Sequence, residues 1–149
     1  MTFKSLQNCL EQSKEETKYF FLWDKTGNVD TFYNYQANLM DFYKTIMKMQ
    51  LGRVSLDEAL EELRAKMVHS MRTGKLFVIN LQQSKPDFTS QFSNDETNFP
   101  AEKVFDIEEW KNDAVNKKIL KEGENINIMG DRGAFMLHRD FRICILAKY

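Results

Sequence analysis

Apolar residues are concentrated near the middle of the chain at residues 76–81, where five of six positions in LFVINL are apolar. A run of this kind, opened by Gly74, predicts a strand that is buried on both faces of a sheet. Residues 55–72 before it repeat leucine and methionine at steps of three and four, which predicts a helix. Ser55 and Glu58 have the spacing of a capping box at its start. Helix, glycine and buried strand together predict a parallel α/β layer.

The first third of the chain predicts two helices and a strand. Residues 3–16 have the apolar spacing of a short amphipathic helix, and YFFLWD at residues 19–24 predicts the first strand, followed by a turn at residues 27–28. Residues 29–49 return to helical spacing, with Leu39, Phe42 and Ile46 on one side. This spacing predicts a second helix across that whole segment.

The pattern after residue 81 predicts a long loop, a weaker helix and a last strand. Residues 82–102 follow the buried strand and contain both prolines, with many Ser, Asn, Asp and Thr residues between them, which indicates a long loop. Residues 104–124 predict a weaker helix. The turn MGDRG at residues 129–133 predicts a hairpin, which leads into FRICIL at residues 141–146. We expect FRICIL to lie beside LFVINL in one sheet.

Composition narrows the class of protein. The 21 basic and 22 acidic residues nearly cancel, which argues against a nucleic-acid or membrane-surface partner. No apolar run approaches the roughly 20 residues that span a bilayer, and residues 1–16 lack the apolar region of a secretory signal. We therefore expect a cytoplasmic protein with Cys9 and Cys144 as reduced thiols. The 12 phenylalanines indicate a large core or an apolar face for a partner.

Candidate chemistry is sparse. The tripeptide TGK at residues 73–75 is not a phosphate-binding loop, because His69 stands at the position of the first glycine and the glycine joins a helix end to a strand. Asn80 stands where a metal-binding strand would carry an acid. His69 and His138 lack further ligands at the spacing of a metal site. We therefore expect no enzyme, no metal and no cofactor.

The order of these elements resembles the fifth AAA+ module of dynein heavy chains, from about residue 19 to residue 149. FFLWDKTGNVDTFYNY at residues 20–35 resembles an apolar strand with a following aspartate and turn, and TGKLFVINL resembles the strand at the Walker B position. ENINIMGDRGAFMLHRDFRICILAK at residues 124–148 is the most specific piece. It resembles the hairpin and the strand at the first-sensor position.

The resemblance implies a degenerate P-loop NTPase fold of the AAA+ type. We expect a single-domain three-layer α/β sandwich over residues 19–149, with a mostly parallel sheet, helices on both faces, an insertion at about residues 82–122 and a C-terminal β-hairpin. Residues 1–18 would be an N-terminal helical extension. On this resemblance we expect the phosphate-binding portion to be missing and no lid subdomain to follow. The resemblance therefore implies a non-catalytic structural or adaptor subunit, with other protein subunits of a ciliary or axonemal assembly as partners.

Two other functions remain open. A small nucleotide- or ligand-binding domain would use the carboxyl ends of the strands, where we expect Asp24, Lys25, Asn80 and Lys148 to meet. An enzyme would need Cys144 or His138 as its reactive group. Cys144 lies inside FRICIL, which favours a place in the core.

Overall fold

Strands and helices are interspersed along the chain, as expected of an α/β protein. The computed structural model describes residues 3–16, 19–25, 28–29, 32–33, 37–94 and 98–148. Its elements in chain order are α1 (Phe3–Glu16), β1 (Phe20–Asp24), β2 (Asn38–Asp41), α2 (Phe42–Gln50), α3 (Leu56–Thr73), β3 (Phe77–Gln82), α4 (Ala101–Val104), α5 (Ile107–Trp110), α6 (Asp113–Asn116), a 3₁₀ turn (Lys117–Ile119) and β4 (Ile143–Lys148).

The four strands form one parallel sheet in the order β1-β4-β3-β2. Ile79 of β3 lies opposite Ile145 of β4, so the two apolar runs of the sequence are neighbours, as predicted. The central strand β3 is buried along five of its six residues. Strands β1 and β2 are the two edges of the sheet.

Local signals in the sequence account for the α3–β3 unit. The Ser55 side chain accepts a hydrogen bond from the backbone N–H of Glu58, and the Glu58 carboxylate accepts one from the backbone N–H of Ser55, which completes the capping box. Gly74 ends α3 in the left-handed conformation, with φ of 78°. A Cβ atom at Gly74 would lie 2.4 Å from Nδ1 of His138, so this position requires glycine for its conformation and for its close approach to the chain before β4.

Each face of the sheet has its own apolar cluster. On the α1 face, side chains of the sheet, among them Leu22, Val78 and Cys144, pack with Leu6 of α1. On the α3 face, other side chains of the sheet, including Phe77 and Ile143, pack with α2, α3 and the insertion. Helices therefore cover both faces, which confirms the predicted α/β layering.

Two buried arginines join distant parts of the chain. Arg64 of α3, 1% exposed, makes hydrogen-bonded ion pairs with Glu61 and Glu124 and donates to the carbonyl of Ile119 at 2.9 Å. Arg142, which precedes β4, donates from Nε to Ser13 Oγ of α1 at 3.0 Å. Burial lowers the pKa of Arg142. The first contact fixes the end of the insertion on α3, and the second fixes α1 on the sheet.

The predicted helix over residues 29–49 is wrong at residues 38–41, which form β2. The side-chain amide of Asn38 donates to the carbonyl of Lys66 and to Ser70 Oγ, both at 2.9 Å, while the segment pairs with β3. These contacts are distant in sequence, so helical spacing could not reveal them. The helix begins only at Phe42, where the Asp41 side chain caps it by accepting from Lys44 N.

Two further predictions need correction. The predicted helix over residues 104–124 is divided into short helices, because the side chains of Asp106 and Asn112 accept backbone hydrogen bonds and start new turns. The predicted C-terminal hairpin is limited to one antiparallel bridge between Ile126 and Arg132. Residues 134–140 form no strand, and the backbone N–H of His138 donates instead to the carbonyl of Met71 at 2.7 Å.

None of the described helices is both long enough and apolar enough to span a membrane.

Candidate functional site

Strand β1 presents two large aromatic side chains to solvent. Phe21 is 55% exposed and Trp23 is 58% exposed, whereas Leu22 and Asp24 between and after them are buried. Alternate residues of a strand point to opposite faces, so Phe21 and Trp23 lie on one side of the sheet. They are the register partners of Ile145 and Ala147 of β4, which places them on the α3 face.

The covering layer on the α3 face ends before it reaches β1. Its aromatic part consists of rings from α2 and the insertion: Phe42 lies 5.0 Å from Phe92 and 5.8 Å from Phe88, and Phe88 lies 5.2 Å from Phe105, measured between ring centroids. These rings cover β2 and β3. Phe88 and Phe105 are also the last rings before the exposed edge, so they form the border of an uncovered strip.

This strip is an apolar groove of about 370 Å³ at the carboxyl end of the sheet. We call it the β1 groove. Its remaining lining comes from β1, from β4, from the end of β3 and from the loop that follows: Phe21, Trp23, Ile145, Ala147, Lys148, Leu81, Gln82, Gln83, Ser84, Lys85 and Pro86. The ring of Phe21 contacts that of Trp23 edge-on, with centroids 6.0 Å apart, so the two side chains form one continuous apolar surface.

A bulge at the end of β3 shapes one wall of the groove. The register between β3 and β4 shifts between Asn80 and Gln82, and Gln82 has a positive φ of 50°. Asn80 Oδ1 accepts a hydrogen bond from the backbone N–H of Gln82 at 3.2 Å, and Gln82 Nε2 donates to Asp41 Oδ1 at 3.4 Å. The amide of Asn80 therefore stabilises a backbone conformation that costs on the order of 1 kcal/mol in a residue other than glycine.

The four residues proposed for a ligand site lie near the carboxyl end of the sheet. Asp24 and Lys148 are register partners, and Asn80 faces the same side as they do, the α1 face. Asp24 is 5% exposed and accepts from the backbone N–H of Val29 at 3.2 Å, and Asn80 is 2% exposed and engaged with Gln82. Lys25 follows β1 and is exposed. The fold brings these residues together, but two of them are already buried in internal hydrogen bonds.

The two residues considered as reactive groups of an enzyme, Cys144 and His138, both take part in the internal packing or hydrogen bonding of the fold. Cys144 is 0% exposed on the α1 face, and burial raises the pKa of its thiol. His138 accepts a hydrogen bond at Nδ1 from the backbone N–H of Asp140 at 3.0 Å and packs against Gly74. Within the described residues, no three side chains among His, Cys, Asp and Glu form a group that could hold a metal ion.

The sequence did not single out Phe21 and Trp23. The run YFFLWD is apolar at almost every position, so its period indicates a strand covered on both sides and hides the difference between its two faces. Only the high phenylalanine content pointed to an apolar face for a partner. Which face remains open depends on where the insertion ends, and residue spacing carries no information about that.

Comparison of this chain with protein-family models, with curated proteins and with solved structures finds no match. No relative therefore supplies a residue role or a ligand. The functional argument rests on the geometry of the β1 groove and on the chemistry of its lining.

Proposed function

We propose that the protein is a non-catalytic adaptor, a structural subunit of a larger assembly that binds another protein subunit through the β1 groove. The observation that carries this proposal is the exposure of Phe21 and Trp23, side by side on an edge strand. Soluble proteins seldom expose neighbouring large aromatic side chains outside a binding surface. Tryptophan is also among the side chains that most often dominate the binding energy of an interface.

The free energy available from burying the two aromatic side chains favours a protein partner. Complete burial of an aromatic side chain contributes roughly 1.5–3 kcal/mol, and each of these rings is already partly covered. Phe21 and Trp23 together would therefore contribute a few kcal/mol at most, which is a hot spot rather than a whole interface. A partner would need further contacts around the groove, as a protein surface can supply.

The groove is held in place before any partner binds. Strand β1 is fixed by its pairing with β4, and the opposite wall is fixed by the packing of Phe88 on Phe42. Arg64 fixes the far end of the insertion on α3. A surface that is ordered in advance loses less conformational entropy on binding.

The proposed location is the axoneme of a cilium or flagellum, and it rests on the resemblance to dynein AAA+ modules. Two features support the resemblance. The strands likened to the Walker B and first-sensor strands, β3 and β4, are parallel neighbours, with five of six residues buried in β3 and three of six buried in β4. Asn80 supports a backbone bulge at the position where an ATPase would need an acid. Both features agree with an AAA+-like domain that has kept the packing of its parallel strands but not the ability to hydrolyse ATP.

A site-specific crosslinking experiment tests the proposal. A photoreactive amino acid is placed at position 21 or 23, and the full chain is irradiated in extracts of the cells that produce it. We expect a discrete adduct with another polypeptide from both positions. The matched control is position 51, because Leu51 is an apolar side chain that is 65% exposed and does not line the groove. Adducts that are absent, or identical to those from position 51, would refute the adaptor proposal.

The alternative function is a small domain that binds a nucleotide or another ligand at the carboxyl ends of the strands. The proximity of Asp24, Asn80 and Lys148 on one face favours it. A thermal-shift screen against adenine and guanine nucleotides tests this alternative. A rise in melting temperature that Lys148→Met abolishes would support it, and no rise at millimolar ligand would remove it.

A further inference from the structure

A second cavity lies at the amino end of the sheet, at the opposite end from the β1 groove. Tyr19 precedes β1 and Phe141 precedes β4, so both lie where these parallel strands begin, and both line the cavity. The facing wall belongs to the insertion and includes Trp110, the last residue of α5. The volume is about 240 Å³. We call this space the Trp110 cavity.

Two side chains of the Trp110 cavity carry buried polar atoms that lack a partner. Nε1 of Trp110 and the hydroxyl of Tyr19 make no hydrogen bond with the described residues, and both atoms are shielded from solvent. Buried donors without an acceptor raise the free energy of the folded state, so native proteins usually satisfy them. The indole N–H of tryptophan can only donate. The group that is missing beside Trp110 is therefore an acceptor.

Other contacts hold these two side chains in place. The carbonyl of Trp110 accepts a hydrogen bond from Asn116 Nδ2 at 2.9 Å, and Trp110 is 0% exposed. The ring of Tyr19 contacts that of Phe141 edge-on, with centroids 6.1 Å apart. Burial, and next the charge of Asp106, raise the pKa of Tyr19, so its hydroxyl keeps its proton and remains able to donate. The cavity thus presents two donors in advance of any ligand.

We infer that the Trp110 cavity binds a small uncharged molecule that carries a carbonyl oxygen on a single apolar ring. The oxygen accepts hydrogen bonds from the indole N–H of Trp110 and the hydroxyl of Tyr19. The ring packs against the apolar part of the lining, which consists of Ile107, Leu137 and Phe141. No residue of this cavity lines the β1 groove, so the inference is independent of the proposed adaptor function.

The volume of the cavity sets the size of the ligand. An apolar protein cavity of about 150 Å³ is large enough to bind benzene. The Trp110 cavity, at about 240 Å³, has room for one such ring and a short substituent. It is smaller than the roughly 300–1,000 Å³ that is typical of sites for larger ligands.

The carboxylates near the two donors disfavour an anion. Asp113 lines the cavity, and Asp106 lies close enough to the hydroxyl of Tyr19 for its charge to raise the pKa of that group. A negatively charged ligand would meet the same negative potential. A cation such as an ammonium group has no lone pair to offer, so it would leave the N–H of Trp110 without an acceptor.

The basic residues of the lining do not reverse this preference, because each has a carboxylate neighbour or is uncharged. Lys111 Nζ lies 3.4 Å from Glu108 Oε1, and Arg139 Nε lies 4.0 Å from Asp140 Oδ1. His138 accepts at Nδ1 from the backbone N–H of Asp140 at 3.0 Å, as a neutral imidazole does. An uncharged acceptor therefore fits the cavity better than either kind of ion.

The ligand reaches the donors by displacing residues 137–139. Both polar atoms are covered, so an acceptor can approach them only if one wall of the cavity moves. Residues 137–139 belong to no helix or strand, and the side chain of Arg139 is 93% exposed. A shift of this wall leaves every described helix and strand intact.

Nuclear magnetic resonance of the full chain tests the inference. The probes are benzamide and acetophenone, which both place a carbonyl group on one ring. The chain has two indole N–H signals, which Trp23→Phe assigns to Trp23 and Trp110. With either probe at millimolar concentration, we expect the indole proton of Trp110 to shift downfield, because it gains an acceptor, and to show a through-space contact with the ring protons of the probe. An unchanged Trp110 signal, or a shift confined to Trp23, would overturn the inference.

Matched ions test the preference for an uncharged ligand. Benzoate and benzylammonium keep the ring of benzamide and carry a negative or a positive charge. We expect each of them to bind at least about tenfold more weakly than benzamide at pH 7. Binding of benzoate as tight as that of benzamide would refute the argument from Asp106 and Asp113.

A variant of Tyr19 tests the role of the unpartnered hydroxyl. Tyr19→Phe keeps the ring and removes one donor, so the affinity for benzamide should fall about three- to tenfold. The melting temperature of the ligand-free variant should not fall, because the hydroxyl makes no hydrogen bond there to lose. The control is Tyr43→Phe on α2, outside the lining, which should leave the affinity unchanged. Unchanged affinity in Tyr19→Phe would overturn the inference. A melting temperature lower by several degrees would also overturn it, because the hydroxyl would then bind an ordered water in the free protein.

Discussion

The two edges of the sheet differ in what lies over the same face. At the β2 edge, Met40 is 1% exposed beneath the cluster built from α2, α3 and the insertion. At the β1 edge, Phe21 and Trp23 are more than half exposed. Both strands are short and both carry apolar residues. The difference in solvent exposure therefore arises from the helices and insertion packed over the strands and not from the strands themselves.

The cover has a defined extent because the insertion is held at both ends. Phe88 and Phe92 pack on Phe42 at its beginning, and Arg64 binds Ile119 and Glu124 at its end. The insertion, fixed in this way, shields β2, β3 and part of β4 from solvent. The exposed β1 edge therefore results from the limited extent of the covering layer, and the experiments below test the difference between the two edges.

The largest effect is expected from the cover itself. Phe42→Ala should lower the free energy of unfolding by about 3–5 kcal/mol, because it leaves a cavity beneath Phe88 and Phe92. Chemical denaturation measures this loss. A change below about 1 kcal/mol would mean that the aromatic cluster is loosely packed and that the two edges are less different than described.

The next effect concerns the anchor of the insertion. Arg64→Met should lower the free energy of unfolding by about 2 kcal/mol, because the carboxylates of Glu61 and Glu124 and the carbonyl of Ile119 lose their hydrogen-bond donor. The loss stays below that of a fully buried pair, since the side chains of Glu61 and Glu124 are 37% and 26% exposed. The control is Arg139→Met, because the side chain of Arg139 is 93% exposed. Equal stability of the two variants would contradict the role of Arg64.

Acid should weaken the same anchor. Hydrogen bonds from Arg64 lower the pKa of Glu61 from 4.5 to about 2. A carboxylate whose pKa is lower in the folded state stabilises the fold above its unfolded pKa, and this contribution is lost as the pH falls from about 4.5 towards 2. Unfolding followed across this range should show the loss, and Glu61→Gln should reduce the slope. An unchanged slope in Glu61→Gln would exclude Glu61 as its source. The lowered pKa of Asp87, also about 2, adds to the wild-type slope over the same range.

The smallest effect is expected at the open edge. Phe21→Thr should change the free energy of unfolding by no more than about 0.5–1 kcal/mol, because the side chain is half exposed and threonine suits a strand. Thermal and chemical unfolding measure it beside Phe42→Ala. A loss of several kcal/mol would show that Phe21 belongs to the core, and the β1 groove would lose its main support.

Much of the fold follows from local patterns. The capping box at Ser55, the glycine stop at position 74 and the two apolar runs predicted α3, β3 and β4, because each of these elements forms from residues near in sequence. Strand β2 was missed because its four residues are held by β3 and by the Asn38 contacts to α3. Of the proposed site residues, Asn80 proved to support the bulge at Gln82. No local pattern distinguishes that role from ligand binding.

The spacing of apolar residues is sufficient to predict the layered α/β character and the adjacency of the two apolar runs, because strands buried on both faces must lie inside a sheet. Which face of which edge stays open follows from the three-dimensional packing. That outcome depends on the reach of the insertion, which is set by contacts between Phe42 and Phe88 and between Arg64 and Glu124. Contacts between residues this far apart follow from packing in three dimensions, and the spacing of residues along the chain does not encode them.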